Sequence, residues 1–219
     1  MAEDYAGAIS PLQQAVETVQ PLAEELWASL AGVKGRTATT RILFTSAESG
    51  AGTSVITAAC GMGLARNLRQ EVTVVEAHLA RPSLATYLGL PGVPGLSDML
   101  VGRAQLAASR YQVPGCPSLF GLPAGSARPA VAGEFADERA RELFESIGNL
   151  GRYVLFDTPS VVDHPEVLSL LPQVDAVVLV LRARSTAKSK ASKAVKLIEE
   201  AGGNLLGSVL NRFKPDGPF

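Results

Sequence analysis

Six short apolar runs, separated by stretches with helical spacing, constrain the fold of this chain more than any other feature. The runs read RILFT, VTVVE, SLFGL, YVLFD, AVVLVL and LLGSVL, and all are rich in Val, Leu, Ile or Phe. Helices are expected at about 53–68, 82–88, 96–108, 137–148, 165–172 and 186–201. Continuous apolar strands that alternate with helices are typical of a parallel sheet covered on both faces. The sequence therefore predicts an α/β fold: a doubly wound, mostly parallel sheet in a three-layer sandwich.

Composition and charge limit the partners of such a domain. The 219 residues are 47% hydrophobic, which is enough for a full core, and the net charge is −1, which gives no general attraction to nucleic acid. No apolar run approaches the roughly 20 residues of a membrane-spanning helix. The N-terminus, MAEDYAGAIS, lacks the apolar region of a signal peptide. We expect a cytoplasmic protein that does not bind nucleic acid and meets the membrane only through a partner.

The first 38 residues differ in pattern from the rest. Apolar side chains recur at helical spacing over residues 9–31, and Pro21 is expected to divide this stretch into two helices. The polar connector GVKGRTATT follows. The predicted organisation is an N-terminal helical segment at 1–38 and an α/β domain of the P-loop nucleotide-hydrolase type at 39–219.

The segment TSAESGAGTSV, residues 45–55, follows the first predicted strand and precedes a predicted helix. A phosphate-binding P-loop has the pattern G-x-x-x-x-G-K-[ST] in this position, with a lysine at the terminal phosphates and a hydroxyl on magnesium. Here Ala47, Gly52 and Ser54 match the pattern, but Thr53 stands in the place of the lysine. From this segment alone, a phosphate loop and a plain tight turn between strand and helix remain equal alternatives.

Further segments follow in a fixed order: VTVVEAHLARPSLATYLGLPGVPGLSDML, SLFGLPAG, YVLFDTPS, AVVLVLRARST and GSVLNRF. Together they resemble the cytoplasmic ATPase domain of bacterial tyrosine kinases (BY-kinases of the CpsD/CapB type), which belong to the MinD/ParA-like P-loop superfamily. The resemblance covers about residues 41–213. Its most specific part is RPSLATYLGLP followed by GLSDML, which partitioning and cell-division ATPases do not usually carry.

The resemblance implies a site, with several departures from the family pattern. A nucleotide would contact Gly50, Ala51, Gly52, Thr53, Ser54 and Asn211, the last at the adenine edge, and a magnesium ion would be held by Ser54 and Asp157. If the chain is active, the catalytic residues are Asp157, Glu76 and Ser54. The family has a D-x-D pair after the second strand, where carboxylates handle magnesium and activate the acceptor hydroxyl; here the pair is Glu76 and His78. Glu166 stands at another family aspartate.

The departures favour an inactive protein. A lysine about 4 Å from a phosphate oxygen contributes roughly 4 kcal/mol at an effective dielectric near 20, so its loss weakens binding roughly a thousandfold. The arginines of the family's E-x-x-R-x-x-R helix, which builds its ring-shaped oligomer, are Ala28 and Ala31, and no tyrosine-rich tail is present. We expect no catalytic residue and no cofactor, with weak binding of ATP or ADP with magnesium as the alternative. A cation such as Arg81 could substitute for the lysine.

The leading hypothesis is a non-catalytic regulator of exopolysaccharide or capsule biosynthesis, as in biofilm formation. It would act on a membrane-anchored polysaccharide co-polymerase or another export protein, and a homo-oligomer remains open. The alternatives are an active tyrosine autokinase or ATPase with an unusual cation, and a MinD-like positioning protein. The only two histidines, His78 and His164, do not indicate a metal cluster. The lysines at 188, 190, 193 and 196 form either a solvated helix face or a docking surface for an acidic partner or the membrane.

Overall fold

Seven strands form one sheet in the computed structural model, which describes residues 39–129 and 134–213. The strands are β1 (Thr40–Ser46), β2 (Val72–Glu76), β3 (Tyr111–Gln112), β4 (Leu119–Leu122), β5 (Tyr153–Ser160), β6 (Ala176–Arg182) and β7 (Leu205–Asn211). Their order across the sheet is β3-β4-β2-β5-β1-β6-β7. All neighbours are parallel except β3 and β4, which are antiparallel.

Helices connect the strands on both faces. They are α1 (Thr53–Leu68), α2 (Leu84–Leu88), α3 (Leu96–Leu100), α4 (Leu106–Ser109), α5 (Glu138–Ile147) and α6 (Lys188–Glu200), with a 3₁₀ helix at Pro165–Gln173 before β6. Two separate clusters of buried apolar side chains lie on the two faces of the sheet, since successive strand residues point to opposite sides. Phe44 belongs to one cluster and its neighbour Leu43 to the other. The predicted doubly wound α/β fold is confirmed.

Three local predictions need correction. The helix expected at 96–108 is divided into α3 and α4, because Gly102 adopts a positive φ of 75° shortly after α3 and turns the chain. The helix expected at 165–172 is a 3₁₀ helix with Pro172 inside it, since proline has no N–H for a helical hydrogen bond. The two-residue strand β3 was not predicted, because so short a segment carries no alternation.

Two further predictions are not decided by the fold. The helices expected at 9–31 lie outside the described residues, so the boundary between residues 38 and 39 stays a prediction. Within the described part of the chain, no helix combines the length and apolar character needed to cross a bilayer.

Candidate functional site

The site lies where β1, β2 and β5 end next to one another. Asp157 of β5 is in register with Phe44 of β1 on one side and with Glu76 of β2 on the other. Ligands of open α/β sheets bind beyond these carboxyl ends. The strand order therefore brings together three segments that the sequence analysis singled out: the loop after β1, the Glu76–His78 pair and the strand ending in Asp157.

The loop between β1 and α1 has the conformation of a phosphate loop. Gly50 and Gly52 have φ values of 80° and 92°, which residues with a Cβ rarely adopt. A Cβ on Gly52 would also collide with the side chain of Asn211. Helix α1 then begins at Thr53, with the N–H of Ile56 donating to the carbonyl of Gly52 at 3.1 Å. Backbone N–H groups at such a helix start favour an anion.

An open pocket of about 230 Å³ lies over this loop. Its walls come from the loop itself, the segment after β2, the end of β5 and the end of β7. They comprise Ser46, Ser49, Gly50, Gly52, Thr53, Ser54, Val55, His78, Arg81, Ser83, Tyr87, Thr158, Pro159, Ser160 and Arg212. This lining of described residues contains two arginines and no lysine or carboxylate, so the pocket favours anions but lacks the ammonium of a phosphate loop.

Glu76 is fully buried and is occupied by backbone hydrogen bonds. Its Oε1 accepts from the N–H groups of Ser83 and Leu84, the latter at 2.5 Å. Its Oε2 accepts from Ala124 at 3.2 Å and from Ala85 at 3.5 Å. Burial raises the pKa of Glu76, while these four donors oppose that shift because they stabilise the carboxylate. Glu76 thus caps the start of α2 and joins it to the segment after β4, and it is absent from the pocket lining.

Asp157 is also fully buried, but neither of its carboxylate oxygens has a hydrogen-bond partner among the described residues. Burial raises the pKa of Asp157 to about 8, with a further contribution from the charge of Glu76. The hydroxyls of Ser54 and Thr57 lie near enough to lower this pKa, although neither makes a hydrogen bond of normal geometry to the carboxylate. A buried carboxylate without partners beside a hydroxyl is suited to a cation.

We expect the buried Asp157 carboxyl to make stability depend on pH. Because the folded-state pKa lies above the unfolded value of 3.8, this group favours folding below about pH 4, and the contribution is lost as pH rises towards 8. The variant Asp157→Asn should therefore stabilise the protein by at least about 2 kcal/mol more at pH 8 than at pH 5, measured by chemical denaturation.

The matched control for this prediction is Asp163→Asn, at an exposed carboxylate nearby. Its effect on the unfolding free energy should stay within about 0.5 kcal/mol at both pH values. A loss of stability in Asp157→Asn that is as large at pH 8 as at pH 5 would contradict the assignment.

His78 stands at the second D-x-D position and lies against the other histidine of the chain. The rings of His78 and His164 meet edge to face with their centroids 5.9 Å apart, and Nδ1 of His164 lies 3.0 Å from Oε1 of Glu166. Burial, His164 and Arg81 lower the pKa of His78, outweighing the opposite effect of Glu166. His78 is therefore neutral at pH 7 and supplies neither a carboxylate for magnesium nor a charge for phosphate.

Asn211 ends β7 and touches the loop from the other side. Its side-chain amide donates to the carbonyl of Ala51 at 2.7 Å, and its Oδ1 accepts from the N–H of Arg212 at 2.8 Å. Asn211 thus fastens the loop to β7. Its predicted role at an adenine edge stays a prediction. Arg212, which follows it with a φ of 58°, reaches the pocket and was missed by the sequence analysis, although its place beside Asn211 was a usable signal.

Glu48, at a position without pattern in the loop, fastens the loop to α6. Its Oε1 accepts from the hydroxyl of Thr186 at 2.9 Å, and its Oε2 lies 3.5 Å from Nζ of Lys190. The sequence analysis gave Lys190 only a solvated or docking role. No sequence pattern linked the two, since 142 residues separate them.

The site fits a bound Mg-nucleotide only in part. Ser54 and the partnerless Asp157 are suited to supporting a magnesium ion, and the glycines leave room for a phosphate. The charges needed around a triphosphate do not fit, because Thr53 and His78 are neutral and Glu76 is engaged elsewhere. Within the described part of the chain, no group of three or more His, Cys, Asp or Glu residues is placed to bind a metal ion.

Comparisons with known proteins agree with the fold and with the loop. No family model matches the chain. The tyrosine-protein kinase YwqD of Bacillus subtilis is 27% identical over 194 residues, which is 84% of this chain and 81% of that protein. The kinase domain of the Escherichia coli tyrosine kinase ETK superposes with a TM-score of 0.79 at 21% identity, covering 93% of this chain and 79% of that one.

A second class of ATPase has the same fold. The septum site-determining protein MinD of Pyrococcus horikoshii, solved as a complex with Mg-ADP, superposes with a TM-score of 0.67 at 24% identity, covering 80% of this chain and 71% of that one. At these identities the two structures establish the fold, while the sequence match to YwqD supports common descent. The resemblance drawn from the motifs is confirmed: the chain is a homologue of bacterial tyrosine kinases and MinD-like P-loop ATPases.

Proposed function

We propose that this chain is a non-catalytic, BY-kinase-like regulator of exopolysaccharide or capsule biosynthesis. It acts in the cytoplasm, at the inner face of the membrane, by docking on a membrane-anchored polysaccharide co-polymerase or another export protein. The sequence match to a tyrosine kinase along most of both chains supports the family part of this proposal. The altered charges of the loop support the non-catalytic part.

The observation that carries the proposal is Thr53 at the start of α1. It lines the pocket at the place where the loop pattern requires a lysine. Phosphoryl transfer depends on positioning and on neutralising the developing negative charge. A threonine hydroxyl adds a neutral hydrogen bond of about 1 kcal/mol, well below the roughly 4 kcal/mol of a lysine.

Calorimetric titration of the full chain with Mg-ATP tests this proposal. We expect affinity in the millimolar range or no detectable heat, together with no release of phosphate over hours. Binding in the micromolar range with steady turnover, abolished in an Asp157→Asn control, would contradict it. The same titration with inorganic pyrophosphate would report any anion binding by the loop without an adenine.

One observation favours the alternative of an active autokinase or ATPase. Arg81 and Arg212 are exposed and both line the pocket, so either guanidinium is placed near a phosphate held by the loop. Incubation with labelled ATP followed by detection of phosphotyrosine distinguishes the two functions. A signal that disappears in Arg81→Ala or Arg212→Ala would establish an arginine as the substitute cation.

A further inference from the structure

The end of the described chain is far more basic than the rest. Residues 182–213 contain seven of the 20 Lys and Arg residues but only two of the 21 Asp and Glu residues, although the whole chain has a net charge of −1. Both acidic residues lie at the last turn of α6, where Glu200 is 3.6 Å from Lys196. The positive charge at the other end of α6 is therefore not neutralised by this segment.

Exposed apolar side chains lie beside this positive charge. Leu210 is 52% exposed and Phe213 is 61% exposed, although both belong to the last residues described. Leu210 pairs in register with Leu181 of β6, whose end leads into α6, so the start of that helix and the end of β7 lie at the same end of the sheet. Lys188, Lys193 and Arg212 are exposed there as well.

Strand β7 is the outermost strand on this side. It pairs only with β6, and within residues 39–129 and 134–213 no strand lies on its other side. Its outer backbone N–H and C=O groups can thus pair with another chain. Soluble proteins usually protect such an edge with charges or proline, but the β7 sequence, LLGSVLN, contains neither. The one register shift of the pair lies at its start, between Val177 and Val178, and leaves the remaining length regular.

We propose that the outer edge of β7 docks an extended, acidic segment of a partner protein, which adds to the sheet as an eighth strand. Main-chain hydrogen bonds to β7 require an extended peptide, and a lipid surface cannot provide them in register. Carboxylates of the segment face Lys188, Lys193 and Arg212, while its apolar side chains cover Leu210 and Phe213. This inference deepens the docking part of the proposed function and rests on it only for the existence of a protein partner.

The test uses the full chain and three synthetic peptides of about eight residues. The first alternates Glu and Val, the second alternates Lys and Val, and the third is the first with two residues replaced by proline. We expect only the Glu-Val peptide to bind, measured by fluorescence anisotropy at low salt, and to slow hydrogen exchange at β7 amides. Lys188→Glu combined with Lys193→Glu should weaken this binding about tenfold or more, because both side chains are exposed and face the peptide.

A matched control is Lys196→Glu, which reverses the charge of an exposed lysine already next to Glu200. It should change peptide affinity less than about twofold. Three results would each overturn the proposal. They are equal binding of the proline peptide, slow exchange at the outward-facing β7 amides in the chain alone, and lysine-dependent binding to phosphatidylglycerol vesicles without any peptide binding. ATP hydrolysis by the same sample would contradict the non-catalytic function and leave the docking edge intact.

Discussion

Replacing Thr53 by lysine should raise the affinity for Mg-ATP about a thousandfold. The new ammonium would enter the pocket from the start of α1, about 4 Å from a phosphate oxygen, and contribute roughly 4 kcal/mol at an effective dielectric near 20. Gly50 and Gly52 already have the positive φ values of a phosphate loop, so the backbone does not need to rearrange. Calorimetry of Thr53→Lys beside the unmodified chain measures the effect.

The control for this prediction is Thr53→Met, which adds length without charge and should leave the affinity near that of the unmodified chain. Adding His78→Asp to Thr53→Lys should make binding depend more strongly on magnesium, because a carboxylate then replaces a neutral ring beside the pocket. If Thr53→Lys keeps the helical content and binds no better than Thr53→Met, the missing ammonium is not what limits nucleotide binding.

Removing the Glu76 carboxylate should destabilise the fold by about 3–5 kcal/mol. Glu76→Ala would leave four backbone N–H groups without their acceptor, at the start of α2 and after β4, in a place that water does not reach. Unsatisfied buried donors cost about 1–3 kcal/mol each, and the relief of the buried charge offsets part of the sum. Urea denaturation at pH 7 measures the loss.

Two further variants separate the capping role of Glu76 from a general effect of losing a carboxylate. Glu76→Gln keeps one acceptor oxygen and should lose less than Glu76→Ala. Glu71→Ala removes a carboxylate that is half exposed and paired with Arg110, and it should cost less than about 1 kcal/mol. Equal losses in Glu76→Ala and Glu71→Ala would show that the four hydrogen bonds contribute little.

The fold could be predicted because its determinants are local. Strand β2 coincides with the run VTVVE, and α1 with the predicted helix at 53–68, since a continuous apolar run and a helical period each depend on neighbouring residues. The prediction failed where a single residue decides the backbone, as at Gly102 between α3 and α4. It also failed at β3, which exists only because β4 lies beside it.

The site could be predicted by position but not by role. Thr53, Ser54 and Asp157 lie where the loop and strand patterns place them. Glu76 was predicted as a catalytic carboxylate of an active protein, and the structure instead directs its oxygens to backbone donors up to 48 residues away. The pairing of Glu48 with Lys190 and the approach of Arg212 likewise depend on contacts between distant segments.

The sequence by itself determined that this chain forms an α/β sheet with a phosphate-type loop, and that the loop has no lysine. These properties follow from the order of residues and need no knowledge of contacts. Only the tertiary structure decided which polar groups are satisfied: Glu76 has four donors, while Asp157 has no partner among the described residues. It also left β7 with an unpaired edge. Hydrogen bonds and charges act over a few ångströms in space, and the distances between these groups are set by the packing of strands that are far apart along the chain.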